Sequence, residues 1–377
     1  MSLAFAAVST RPLRILGVGN VRSINFVRWA RRLAERGHEV HLAGERPVER
    51  LEDLEGIHVH HLGGVERLNR VRGLQAWVFP RAVRRLGRRL GVDLVHAHQL
   101  FPFGVGAAGS RLRPFVLSPW GTDILVQART GRRADAARAA IAGADRLVLN
   151  SDANERACLE LGARPETIRR IVWYAEVDRF RPDRGDPGLR QRLGWPGDTL
   201  VVLSPRALRA DTNIDVVVRA FAAAAPEEPR ARLLLAARRT PLRAELEALA
   251  GELGIRPLVA FHRAELDELP ALYASADVLV TLARSDSTPA SLLEAMASGL
   301  PAVCGIAPSI DEWVAQDEGA ELVPCRDVDA VAAALGRLLA DPALRRRYGE
   351  RNARVVRERI ADPGQALEEL YRELVPA

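Results

Sequence analysis

Short β-rich runs alternate with helical stretches from one end of the chain to the other, a pattern that restricts it to parallel sheets with crossover helices. The pattern predicts strands over 13–19, 38–44, 57–63, 93–98, 114–120, 145–151 and 168–174, and helices over 23–36, 67–90, 131–143 and 152–162. A stretch dense in Gly, Pro and Asp, 181–199, interrupts the periodicity. The alternation then restarts, with strands at 199–205, 231–237, 258–262, 278–283, 301–305 and 320–325 and helices between them. Three further helices are predicted at about 327–340, 342–360 and 363–374, with no strand after them. The expected fold class is α/β, with two Rossmann-like doubly wound parallel-sheet domains facing across a cleft. Their expected extents are 1–182 and 199–360, joined by a linker over 183–198, with 361–377 a C-terminal helix packing back on the first domain. A length of 377 residues lets each domain bury its own core.

Composition removes several kinds of chemistry. All 54 basic residues are arginine, so a Schiff-base lysine or a Walker lysine is excluded. Cys158, Cys304 and Cys325 are too few and scattered for a disulfide framework and lack the paired spacing of a zinc site. No run reaches the roughly 20 apolar residues of a membrane span, and the opening MSLAFAAVST has no basic n-region, so a cytoplasmic protein is expected. Charge is split: residues 1–185 hold 31 Arg against 19 acids and residues 186–377 hold 23 against 29, a difference of +12 and −6. The basic stretch 81–91 reads either as a core-packed crossover helix or as an amphipathic helix on an anionic membrane at its inner face. The arginines are not interleaved with aromatics, so no nucleic acid is expected as a partner. The early GVGN does not complete G-x-G-x-x-G, and no dinucleotide fold is read from it.

The most informative segment is SDSTPASLLEAMASGLPAVCG, 285–305. Ser285, Asp286, Ser287 and Thr288 occupy helix-capping positions and Pro289 suits a first turn. A helix N-terminus at Ala290, Ser291 and Leu292 attracts anions through its unpaired amides and macrodipole. Glu294 follows Asp286 by eight residues, so two carboxylates lie at different depths along one site. They read equally as ligands of hydroxyl groups or as an N-cap and a polar-face residue.

LLEAMASGLPAV (292–303) resembles the donor-binding signature of the retaining glycosyltransferases of family 4, which have the GT-B fold. RGHEVHLA (36–43), VHAH (95–98), SPWGTDIL (118–125), RLVLNSDANERACLELG (146–162) and VDRFRPD (177–183) fit the same family in order, so the resemblance covers nearly the whole chain. It implies that Glu294 receives the ribose hydroxyls of a nucleoside diphosphate sugar of UDP or GDP type and Asp286 the hydroxyls of the transferred sugar. The amides near Ala290, Ser291 and Leu292 would meet the diphosphate. Asp286 stands where the family has Glu, and Pro289 where a glycine is common. In SPRALRADTNID (204–215) the resemblance assigns Arg206 to the diphosphate, but the family lysine is replaced by Asp211, leaving Arg209 as its substitute or as a solvated charge. His262 and Arg263 fall where the family contacts the base.

The first domain is then expected to bind the acceptor. Trp120, Gly121, Thr122 and Asp123 follow a strand, with Trp120 where many relatives have histidine and Asp123 either bonding an acceptor hydroxyl or capping the turn. His98 and Gln99, with Asn20, Arg22 and Asn25, are further acceptor candidates. The resemblance implies retaining sugar transfer to a hydroxyl of a glycan, glycolipid or small molecule, with Asp286, Arg206 and Asp123 as the catalytic set. No metal and no cofactor beyond the donor are expected, and front-face attack assisted by the donor phosphate fits the absence of an obvious base. A nucleotide-sugar epimerase or hydrolase, and a non-catalytic nucleotide-sugar binder, are the alternatives.

Overall fold

The computed structural model describes residues 11–44, 56–62, 75–237, 240–283, 288–360 and 362–375. The chain forms two compact units, one comprising Met1–Tyr174 with Asp362–Ala377 and the other Ala175–Ala361.

The first unit holds a sheet of seven strands: β1 (Arg14–Val18), β2 (Glu39–Gly44), β3 (Ile57–His61), β4 (Leu94–His98), β5 (Phe115–Ser118), β6 (Arg146–Leu149) and β7 (Ile168–Arg170). Their spatial order is β3-β2-β1-β4-β5-β6-β7. Every pairing is parallel, with Ile15 opposite both Val40 and Leu94. The order reverses between β1 and β4, so the loops leaving those two strands diverge to opposite faces and open a crevice at their carboxyl ends. Gly17 is required inside β1 because a Cβ there would stand 2.5 Å from the ring of Trp29, which the helix Ile24–Glu35 lays across the strand. Helix 67–90 of the sequence reading begins, in the described part, at Gln75 and runs to Leu90. A helix at Val105–Ser110 was not legible, being short and rich in Gly and Ala.

The second unit repeats the plan with β8 (Leu200–Ser204), β9 (Ala231–Ala236), β10 (Val259–His262), β11 (Val278–Thr281), β12 (Ala302–Gly305), β13 (Ala315–Gln316) and β14 (Gly319–Val323). The order is β10-β9-β8-β11-β12-β14-β13, again wholly parallel, and the reversal falls between β8 and β11. The central strand LVVLS is buried at all five positions, as a strand covered by helices on both faces must be. Its core continues through Val217, Val218 and Phe221 of the helix Ile214–Ala224 and Leu335 and Leu338 of the helix Val328–Ala340.

The division falls at Tyr174–Ala175, before the expected boundary at 182, and 183–198 is not a free linker. The amide of Asp186 donates to Ser275 Oγ at 2.7 Å, Leu189 is buried, and Arg190 donates to the Thr199 carbonyl at 2.9 Å and to Asp277 at 3.1 Å. The glycines and prolines there shape turns that lie on the second unit. The last helix, Pro363–Leu374, belongs to the first unit, where Trp29 Nε1–H donates to the Tyr371 hydroxyl at 2.9 Å.

Candidate functional site

In the second unit two loops leave the switch point side by side. After β8 comes 205–213, with Arg206 reaching Ser291 Oγ at 3.3 Å. The loop is held from within: the Thr212 hydroxyl donates to the carbonyls of Ala207 (2.8 Å) and Arg209 (2.7 Å). Asn213 adopts a left-handed conformation (φ 49°), which asparagine tolerates better than most side chains, and its amide donates to the Leu282 carbonyl at 2.7 Å. That bond ties the loop after β8 to the loop after β11. Neither Thr212 nor Asn213 stood out in the sequence as a site residue; the signal available was an asparagine just before an apolar helix.

After β11 the chain passes through 284–287, so Asp286 and Ser287 lie outside the described residues, as does Ser285. Thr288 and Pro289 are buried, and extended Pro289 (ψ 120°) leads into the helix Ala290–Ala297. An α-helix leaves its first amides without intrahelical acceptors. Here the Leu292 amide already donates to the Pro289 carbonyl at 3.0 Å, so of the three amides expected to face an anion that of Leu292 is engaged within the turn. The helix ends where the motif places glycine: Gly299 (φ 76°) takes the left-handed turn while the Leu300 amide returns to the Ala295 carbonyl.

Ser291 and Glu294 are three residues apart and therefore share a helix face. Glu294 is 6% exposed, and its Oε2 accepts the Tyr273 hydroxyl at 2.9 Å. Tyr273 comes from the helix Leu269–Ala274 and packs edge-on against Phe180 of the VDRFRPD stretch, with centroids 5.2 Å apart. Sequence reasoning missed Tyr273, whose position is set only by tertiary packing. Arg206, Ser291 and Glu294 thus form one line from a guanidinium through a helix N-terminus to a carboxylate fixed by a phenol.

His262 ends β10, two strands from β8 and so roughly 10 Å along the same rim. Its Nε2 lies 3.3 Å from Glu268, whose carboxylate also accepts the Glu265 amide and is held below its usual range chiefly by that bond. Arg263 is exposed and 3.6 Å from Glu265. Arg209 does not reach toward Ser291: its fork lies on Asp211, with Nε 3.0 Å from Oδ1 and Nη2 2.5 Å from Oδ2.

In the first unit the loop after β1 carries Asn20, whose Oδ1 accepts the Arg22 amide at 3.1 Å, and exposed Arg22; half-buried Asn25 follows in the first turn of the next helix. His98 ends β4 but is 0% exposed, enclosed by the rings of Phe26, Trp29, His96, Trp120 and Trp173 at centroid distances from 4.3 to 6.1 Å. Burial holds it well below the usual histidine range, and it supports the half-buried Trp120 from behind instead of meeting an acceptor. Gly121 is buried and Thr122 exposed beside it.

Asp123, expected in the catalytic set, is buried and committed to the backbone. It accepts the amides of Leu100 (2.6 Å), Gly121 (2.8 Å), Trp120 (3.0 Å) and Ile124 (3.0 Å). Burial raises its carboxyl, and these four amides oppose the rise. Its place is to pin the loops after β4 and β5 together, the capping alternative of the sequence reading.

The helix Gln75–Leu90 buries Phe79, Val83 and Leu86 in the core, so its apolar face is not offered to a membrane. Outward it presents Arg81, Arg85, Arg88 and Arg89 and, at one end, Trp77, which is 65% exposed beneath the Arg81 guanidinium at 4.8 Å. No helix among the described residues is long and apolar enough to cross a membrane. Nor, among the described residues, do three His, Cys, Asp or Glu side chains gather to hold a metal ion.

Two parallel sheets of this order, each with polar loops at its switch point, define a two-domain α/β protein of the GT-B type. Comparison with known proteins agrees. Residues 26–172 match the profile described as Glycosyltransferase Family 4, and 186–355 that described as Glycosyl transferases group 1. The chain is 31% identical to the D-inositol 3-phosphate glycosyltransferase of Acidothermus cellulolyticus, over 91% of this chain and 83% of that one. It is 28% identical to the enzyme of the same name from Corynebacterium jeikeium, over 100% and 98%. Among solved structures, sucrose-phosphate synthase from Thermosynechococcus elongatus superposes with a TM-score of 0.79 at 20% identity, covering 96% of this chain and 99% of that one. Anabaena HepE in complex with UDP and glucose gives 0.76 at 19% identity, covering 96% and 100%. The chain belongs to family 4 of the glycosyltransferases, and it is a glycosyltransferase.

Proposed function

We propose that the chain transfers a sugar from a nucleoside diphosphate sugar of UDP or GDP type to an acceptor hydroxyl, with retention of configuration and without a metal. The observation that carries this reading is Arg206 at 3.3 Å from Ser291, which sets a guanidinium against the first turn of the helix Ala290–Ala297. Both donate to an anion, and charge developing on a departing diphosphate needs that preorganised stabilisation. Glu294, fixed by Tyr273, takes the ribose hydroxyls, and Asp286 the hydroxyls of the transferred sugar. In the reaction the acceptor oxygen bonds to the anomeric carbon as the bond from that carbon to the diphosphate breaks. The acceptor proton passes to the leaving phosphate oxygen, on the same face.

The relatives named for D-inositol 3-phosphate make a phosphorylated cyclitol the first acceptor to try, on the first unit beside Trp120, Asn20 and Arg22. Thermal stabilisation by UDP-, GDP- and ADP-sugars tests the donor: one nucleotide is expected to raise the melting temperature, and Arg206→Ala and Glu294→Ala to abolish the rise. No rise with any of them overturns the reading. Turnover unchanged in EDTA, and an unchanged anomeric coupling constant in the product, test the metal and the stereochemistry.

The arginine row ending in Trp77 further suits peripheral contact with an anionic membrane, through charge and an interfacial indole and not through a buried apolar face. Co-sedimentation with phosphatidylglycerol vesicles is expected to fall on Trp77→Ala and to vanish at high salt. Equal binding to neutral vesicles counts against it.

A further inference from the structure

Arg209 and Asp211 form a bidentate pair two residues apart, both about half exposed at 50% and 59%. The planar guanidinium offers Asp211 the same two-pronged face that it offers a phosphate. The backbone beneath it is fixed. Leu208 is buried and its carbonyl accepts the Leu242 amide at 3.2 Å, while the Thr212 hydroxyl holds the carbonyls of Ala207 and Arg209. The side chains of the pair are the exposed part of this loop, and Arg206, three residues earlier, already lies on the first turn of the helix Ala290–Ala297.

We propose that Asp211 is an internal stand-in for the diphosphate: it holds the Arg209 fork in the unliganded protein and yields it when a nucleoside diphosphate binds. The inference rests on the donor reading above. An exposed pair of this kind is weakly held in water, and a diphosphate carries more charge than one carboxylate, so the exchange runs toward the ligand. Asp211 competes with the diphosphate for the same Arg209 fork, and the pair must part each time the ligand binds. It therefore lowers affinity for the nucleoside diphosphate, and a ligand held less tightly leaves sooner once the sugar has moved. Aspartate at 211 accordingly sets how quickly the site clears, and Arg209 is a diphosphate-binding residue that is engaged only in the liganded state.

A double-mutant cycle in the full chain tests this, with calorimetric titration of UDP, GDP and ADP and the tightest of the three used throughout. Asp211→Asn is expected to tighten binding by about threefold to tenfold and Arg209→Ala to weaken it by about tenfold. In the Arg209→Ala background, Asp211→Asn is then expected to change affinity by less than about twofold, because no fork remains to be released. Equal tightening with and without Arg209 overturns the proposal in favour of simple repulsion, and no tightening in either overturns it outright. Arg206→Ala and Glu294→Ala serve as the control. If neither weakens binding, the donor site itself is misplaced; if both do and the cycle shows no coupling, only the exchange fails.

Discussion

The Nε1–H of Trp29 donates to the hydroxyl of Tyr371 at 2.9 Å, joining residues 342 apart in the chain. Indole nitrogen is a donor only, so the phenol oxygen accepts from it and its own proton points to His96 Nδ1, at 2.5 Å. That fixes the tautomer: His96 carries its proton on Nε2 and donates it to Ser118 Oγ at 2.7 Å. Helix Ile24–Glu35, strands β4 and β5 and the last helix are thereby joined through one buried polar chain.

Tyr371→Phe leaves the Trp29 donor and the His96 acceptor unmet in the interior, at a cost of about 1–3 kcal/mol for each unsatisfied group. Urea unfolding is expected to show the first unit destabilised by about 2–6 kcal/mol for the two groups together, with nucleotide binding by the second unit unchanged.

Stability is expected to fall with acid through the histidine window. Burial lowers His96 to about 3 and lowers His98, His38, His41 and His60 as well. The unfolded chain binds protons below about pH 6.5 that the folded chain refuses, so each such histidine removes up to about 1.4 kcal/mol per pH unit as pH drops toward its folded value. Melting temperature measured from pH 7 to 4 should decline, and His96→Gln should flatten the slope.

Asp123→Asn separates a positioning role from a catalytic one. Four backbone amides point at the carboxylate, and an amide side chain offers them one oxygen and turns two N–H donors toward them. A loss of about 1.5–3 kcal/mol is expected, by analogy with hydrogen bonds to charged groups. Retained thermal stability with lost turnover would instead return Asp123 to the catalytic set.

Tyr273→Phe removes the donor that holds Glu294 and is expected to weaken nucleotide binding by about threefold to tenfold, the worth of one hydrogen bond. Ser291→Ala removes one hydrogen bond of Arg206 and should do likewise for inorganic pyrophosphate, whereas Tyr273→Phe should leave pyrophosphate binding unaffected. Both are read by calorimetric titration.

Most strands were legible because parallel strands covered on both faces must be continuous apolar runs, as LVVLS and LLLA are, whereas their spatial order came from the structure. The helix behind Glu294 was legible through its glycine stop and its proline start. What the residues could not disclose were commitments made in three dimensions. Asp123 looked like a polar side chain after a strand and is consumed by backbone; His98 looked accessible and is walled by five rings. Turn-forming composition at 183–198 was likewise ambiguous, since Gly and Pro shape a docked segment as readily as a free one, and only the anchors to Ser275 and Asp277 decide.

The first unit is assembled from two stretches of the chain separated by the second, because the helix Pro363–Leu374 returns to Trp29 after the whole second unit has been traversed. During synthesis the second unit therefore emerges entire while the first still lacks its closing helix. A chain ended near residue 361 would leave Trp29 and His96 with no phenol to meet.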